Sequence, residues 1–433
     1  MEGNLTASVR GGRRLQLAVA ILGMVMIAPL QYAWTLFAEP LSEEHVWSLA
    51  AVQVGFTVFV IFQSFTQPVT GSLIDRFGPG PSVAVGAVLA GAGWIAMGLA
   101  GSLPVLYAAY AAVGVGAGIV YAASIGTALR WYPDRRGLAV GLVTAGFGAG
   151  ALPFIPLLDG MVTARGTTTG FVVSGAVIGA VLLACAALLR HPPPAMPPAR
   201  SAVVPTIADP SSSAPSVDAS PSTHLGSTTA RGLGDRVAQY SPVQMIRTGR
   251  FWLIFVMYLC MATGGLLVTA NLKPFALSLG VASGVIVTAL AVAQIPNGLS
   301  RVVWGWVSDR IGRLQTMVIA FAANGLLLAL LPFVGDVPAA LIVLTPLVMF
   351  TWGEAFALIP AVTADTFGTE HAAANQGVMY TAKGFGGLFG GALAAWLAAT
   401  FGWTTVFLTA AGMALAAAAG AALLLAAARR RAA

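Results

Sequence analysis

The sequence predicts an all-α membrane protein, with twelve transmembrane helices in two pseudo-symmetric six-helix bundles. Three observations carry that prediction. Apolar residues fill 58% of the 433 positions and charged residues only 9%, against roughly 25% charged in a soluble protein. Apolar runs long enough to cross a bilayer, which takes about 20 residues, recur from one end of the chain to the other. One turn, G-x-x-x-D-R-x-G, occurs twice at corresponding places, as Gly71 to Gly78 and Gly305 to Gly312.

In chain order, residues 1–14 form a cytoplasmic N-terminus and 15–190 the first bundle, with spans at 15–37, 51–74, 82–100, 104–129, 138–158 and 170–189. The first run is too long for the core of a signal peptide and lacks a small-residue cleavage site after it. Residues 191–250 change character: Pro, Ser, Thr and Ala dominate without apolar periodicity, the pattern of a largely disordered linker. The second bundle covers 251–428, with spans at 251–272, 283–307, 314–334, 338–361, 372–399 and 404–427, and 429–433 follow as a basic tail.

Charge sets the orientation. Arg10, Arg13, Arg14, Arg76, Arg130, Arg135, Arg136, Arg190, Arg310, Arg313 and Arg429 to Arg431 fall at the termini and in alternate loops. The complementary loops hold Glu39, Glu43, Glu44, Asp159 and Asp336, with Arg165 as the exception. Positive loops face the cytoplasm, so both termini and the linker are expected there, in the inner membrane of a bacterium. The net charge of +7 orients the chain and does not indicate nucleic acid. Cys185 and Cys260 lie inside apolar runs and suggest neither a disulfide framework nor a metal site, and no cofactor motif is present. Lys273, at a span end, reads as an interfacial anchor.

Two cations interrupt the second half at membrane depth. Lys383 falls near the middle of the run 372–399, where a lysine costs roughly 2.5–3.5 kcal/mol to insert. It either snorkels to the interface or faces an internal cavity, and its central position favours the cavity. Arg301 lies about 12 Å inside span eight, counted back from Asp309 at 1.5 Å per residue. When the two halves are aligned on the repeated turn, Arg301 corresponds to Gln67 and Lys383 to Gly146. Two buried cations in one half point to a site for an anion with two negative charges. Glu354 in span ten is the intramembrane carboxylate that could instead pair with Arg301.

Aromatic and polar residues gather in the same spans. Trp352 and Phe356 are four apart and share a face, Tyr380 and Lys383 are three apart, and Gln31, Tyr32, Tyr121 and Phe147 interrupt the first, fourth and fifth spans. Aromatic walls confine small flat anions and exclude water, which strengthens attraction to the cations. In the repeated turns, Gly71, Asp75, Arg76, Gly305, Asp309 and Arg310 read as a conformational motif, whose glycines permit a tight turn and close helix approach.

The paired turns, twelve spans and central linker resemble the major facilitator superfamily over nearly the whole chain. The segments Gln31 to Phe37, Trp352 to Glu354, Asp365 to Thr369 and Tyr380 to Gly384 look like the oxalate/formate antiporter family. That resemblance implies the major facilitator fold and a dicarboxylate bound by a span-eight arginine and a span-eleven lysine inside an aromatic cage. Arg301, Lys383, Gln31, Tyr32, Tyr121 and Trp352 match those positions, and Phe147, Phe356 and Tyr380 stand where other aromatics occur in the family. The expected activity is exchange of oxalate for formate by alternating access in a monomer. A monocarboxylate carrier, with or without proton coupling, is the alternative. An enzyme or receptor is disfavoured, since the spans and loops carry no H-E-x-x-H, Ser/His/Asp set or phosphate loop, and the linker is too polar to fold as a signalling domain.

Overall fold

The computed structural model describes residues 2–132, 135–192, 239–368 and 371–432; within these, the side chains of residues 2–11, 71–73, 75, 136–137, 373 and 431–432 lie outside the description. The described chain is helical from end to end. Its elements are α1 (Glu2–Tyr32), α2 (Thr35–His45), α3 (Leu49–Phe77), α4 (Pro79–Gly98), α5 (Leu103–Trp131), α6 (Arg136–Ala149) and α7 (Phe154–Leu188). Then come α8 (Pro242–Ile246), α9 (Gly249–Ser278), α10 (Ser283–Ile311), α11 (Arg313–Val334), α12 (Pro338–Gly353), α13 (Ala355–Phe367), α14 (Ala372–Leu388), a π-helical turn (Phe389–Leu393) and α15 (Ala394–Ala432).

Ten helical stretches among the described residues are long and apolar enough to cross a membrane. Two of them, Leu138–Leu188 and Ala374–Arg430, far exceed one crossing and turn at Gly166 and Gly402, both at φ +82°, which brings the crossings to twelve. The repeated turns end their helices alike: Gly78 (φ +86°) closes α3 and Gly312 (φ +95°) closes α10, a left-handed geometry that glycine adopts without a Cβ clash. Close approach does not extend to Gly305, since a Cβ added there would meet nothing within 4 Å.

Four spans depart from simple continuous helices; the fifth does so at residues 150–153, between α6 and α7. The first, expected unbroken over 15–37, breaks after Tyr32, and the Thr35 hydroxyl at the break accepts the Lys273 backbone N–H at 3.2 Å. The tenth breaks at Glu354, between α12 and α13. The eleventh contains the π turn, where the Thr57 hydroxyl from α3 accepts Ala392 N–H (3.1 Å) and donates to Gly387 C=O (3.1 Å). The linker also ends earlier than expected. A capping box of Ser241 and Gln244 starts α8, and Tyr240 N–H donates to Phe367 C=O at 2.9 Å, so residues 239–250 are folded against the end of α13. The rest of the expected disordered segment, 193–238, lies outside the described residues.

The first six spans meet the last six along two seams. In one, α3 packs on α14: Val60 against Gly387, Ser64 and Phe65 against Gly384, and Pro68 against Gly377. In the other, α6 packs on α10, where a Cβ added to Gly148 would lie 2.7 Å from Gly298 Cα. Asn297 Nδ2 donates across this seam to Gly148 C=O at 3.0 Å. Gly298→Leu is expected to fold and insert but to lose transport, because the added side chain meets Ala149 Cβ at 2.8 Å and Ala145 C=O at 2.9 Å and holds the helices apart. Uptake into liposomes beside a gel-filtration profile checks this, and wild-type uptake would contradict it.

Candidate functional site

Where the seams meet, α10 carries Arg301 and α14 carries Lys383 into one buried chamber. Arg301 is 4% exposed and Lys383 fully buried. Lys383 Nζ donates to Gln63 Oε1 (2.6 Å), Gln31 Oε1 (2.8 Å) and the Tyr380 hydroxyl (3.4 Å). The lysine of one half is thus held by two amides of the other. Arg301 Nη1 donates to Thr144 C=O at 2.8 Å, while its Nε and Nη2 have no hydrogen-bond partner among the described residues. These two donors form one edge of the guanidinium fork, the edge that takes a carboxylate with two parallel bonds.

Aromatic rings wall the space between the charges. The Phe147 ring lies 5.8 Å from the Arg301 guanidinium and 5.7 Å from Lys383 Nζ, and the Phe356 ring 5.0 Å and 5.8 Å. Both rings turn their faces toward both cations, a favourable placement for positive charge. The wall continues from Phe147 to Tyr32 (5.3 Å) and Tyr121 (5.4 Å), from Tyr121 to Tyr380 (5.7 Å), and from Phe356 to Trp352 (5.0 Å). The structure therefore brings together all nine of Arg301, Lys383, Gln31, Tyr32, Tyr121, Phe147, Trp352, Phe356 and Tyr380.

Two residues of the chamber escape sequence reasoning. Gln63 is one. Tyr258 on α9 is the other, stacked edge-on 6.0 Å from Phe356 and 6.3 Å from Tyr380. A polar side chain within an apolar span was the available signal for Gln63; a lone tyrosine in a span carries none. Among the described residues, buried donors without partners belong to several of the surrounding side chains: Gln31 Nε2, Gln63 Nε2, Tyr258 hydroxyl and Trp352 Nε1, besides the Arg301 edge. Buried donors are normally satisfied, so a cluster of unpartnered ones marks a place suited to an acceptor-rich ligand. Glu354 is buried, but its oxygens have no hydrogen-bond partner among the described residues, Arg301 included.

Contacts flank the site toward both ends of its helices. At one, Gln53 Nε2 donates to Ala270 C=O at 2.8 Å, and Lys273 Nζ meets Asp159 at 3.2 Å. Lys273 is thus not an anchor at the membrane interface: it is buried and bridges α9 to α7. At the other end, Gly377 lies on Pro68 and Asn375 Nδ2 donates to Tyr240 C=O at 2.9 Å.

The motif residues lie away from the chamber. Arg310 stacks 3.6 Å over Trp306, and Arg76 lies over Phe77 at 5.3 Å. Exposed Asp309 is met by Arg313 at 3.9 Å, and the same arginine donates to Asp365. Gly71 and Asp75 fall among the side chains outside the description.

The model of the Major Facilitator Superfamily matches residues 19–353 and 251–433. The oxalate:formate antiporter of Oxalobacter formigenes is 37% identical over 93% of this chain and 88% of its own. Monocarboxylate transporter 13 of Bos taurus is 26% identical over 83% of this chain and 77% of its own. Among solved structures, a mutant form of the nucleoside transporter NupG superposes with a TM-score of 0.67 at 14% identity, covering 94% of this chain and 99% of that one, a likeness of fold.

Proposed function

The chain belongs to the Major Facilitator Superfamily, and from that membership we propose that it exchanges small carboxylate anions, oxalate inward for formate outward. The observation that carries this reading is the pair of cations facing the same two rings, Phe147 and Phe356. A short dianion between Arg301 and Lys383 neutralises both, and the rings exclude water from it. The likeness to the Oxalobacter formigenes antiporter supports the substrate class. Transport proceeds by rocking of residues 15–190 against 251–428 about the buried site, in a monomer of the inner membrane with both termini cytoplasmic. Gly71, Asp75, Arg76, Gly305, Asp309 and Arg310 serve the conformational change and touch no substrate.

A monocarboxylate carrier is the second reading. It is favoured by one observation: Lys383 already has oxygen partners, while one edge of Arg301 has none among the described residues. Purified protein in liposomes loaded with labelled oxalate, challenged with a panel of external carboxylates, separates the two. Oxalate and formate are expected to drive efflux strongly, with longer dicarboxylates excluded by the ring cage. Efflux driven by lactate or pyruvate but not oxalate would replace the first reading with the second.

A further inference from the structure

We infer that Gln63 decides between a dianion and a monoanion, by competing with the substrate's second carboxylate for Lys383. This rests on the exchanger reading and adds to it a residue and a rule of selection. An ammonium has three N–H donors and no acceptor. At Lys383 three oxygens receive them, and Gln63 Oε1 is the nearest, at 2.6 Å against 2.8 Å for Gln31 and 3.4 Å for Tyr380. Arg301 is in the opposite condition, with Nε and Nη2 unpartnered on one edge. The first carboxylate therefore docks on Arg301 without breaking a bond. A monoanion needs nothing more. A dianion completes its binding only when its second carboxylate takes a Lys383 donor from an amide.

Glutamine suits that displacement. Gln63 is fully buried, and its Nε2 has no partner. When the amide turns about its last torsion, it withdraws an acceptor from the ammonium and offers a donor to the incoming carboxylate. Its own helix keeps it in place: α3 lies on α14 from Val60–Gly387 through Ser64–Gly384 to Pro68–Gly377, with Gln63 between the first two contacts. Glutamate at this position would hold Lys383 permanently and repel a second carboxylate. A side chain without an acceptor would release Lys383 to the substrate.

The test is calorimetric titration of oxalate and formate into the full-length protein in lipid nanodiscs, comparing the ratio of the two affinities. Gln63→Glu is expected to lower the oxalate-to-formate ratio by roughly tenfold or more, the order of losing one close charge contact. Gln63→Met, similar in length but without an acceptor, is expected to raise the ratio. Opposite shifts are a signature that lost packing does not produce. A ratio unchanged in Gln63→Glu, or unchanged or lowered in Gln63→Met, overturns the inference. Should Gln63→Glu fail to fold, the direction of the Gln63→Met shift decides alone. Wild-type protein that binds neither anion defeats the exchanger reading itself, which is distinct from a wild type that prefers oxalate and variants that keep that preference.

Discussion

Lys383→Gln and Arg301→Gln are each expected to abolish oxalate exchange while leaving the protein folded and inserted. Removing one partner from a buried charge contact costs about 2–5 kcal/mol, roughly thirtyfold to several thousandfold in affinity. Glutamine removes the cation and leaves no new buried charge. At position 301 it also lacks the two-donor edge formed by Nε and Nη2. Lys383→Arg is expected to fail as well. Gln31, Gln63 and Tyr380 place their oxygens around one compact ammonium, and a planar fork cannot meet the same three. Counterflow of labelled oxalate in liposomes, normalised to protein recovered by gel filtration, measures each variant. Near-normal exchange by Lys383→Gln would remove the two-cation site.

Oxalate uptake is expected to need an anion on the far side of the membrane. Closing the chamber around both cations without a dianion leaves charge in a medium of low dielectric, a cost of several kcal/mol per poorly compensated ion. The structure apportions that cost unequally. Lys383 has three oxygen partners, whereas Arg301 has one carbonyl, Thr144 C=O, and the faces of Phe147 and Phe356. The penalty thus falls chiefly on Arg301. About 3 kcal/mol there slows the return of the unloaded carrier more than a hundredfold relative to the loaded one. Uptake into liposomes without internal anion is expected to be slower by that order than uptake into oxalate- or formate-loaded ones.

The charges at membrane depth were the legible part of the site. Arg301 and Lys383 stand out because such residues are expensive in an apolar span, and their expense demands a cause. Tyr32, Tyr121 and Phe147 were less legible, since an aromatic in a membrane helix equally serves packing, and the resemblance strengthened their reading as part of the site. Gln63 was missed because its role comes from a lysine 320 positions away. Lys273 was misread for the same reason: Asp159, its partner, is 114 positions distant and reaches it only once α7 and α9 are side by side.

The fold shows the same division. Span number and the paired turns follow from hydropathy and from glycines whose φ is positive in the structure, Gly78 and Gly312. The breaks after Tyr32, at Glu354 and at Phe389–Leu393 leave no local signature strong enough to read. Two of them are stabilised by hydroxyl contacts between the halves, Thr35 accepting from Lys273 N–H and Thr57 bonding Gly387 and Ala392. Such bonds exist only after the helices have assembled.

Charge movement tests the two-cation exchanger most directly. Oxalate dianion entering for formate monoanion leaving carries one net negative charge inward per cycle, and each charge is worth roughly 2.3 kcal/mol per 100 mV. The measurement is initial labelled-oxalate uptake into formate-loaded liposomes, with the membrane potential clamped by potassium and valinomycin at either sign. The account predicts faster uptake when the interior is positive and slower uptake when it is negative. A rate indifferent to the potential would contradict it.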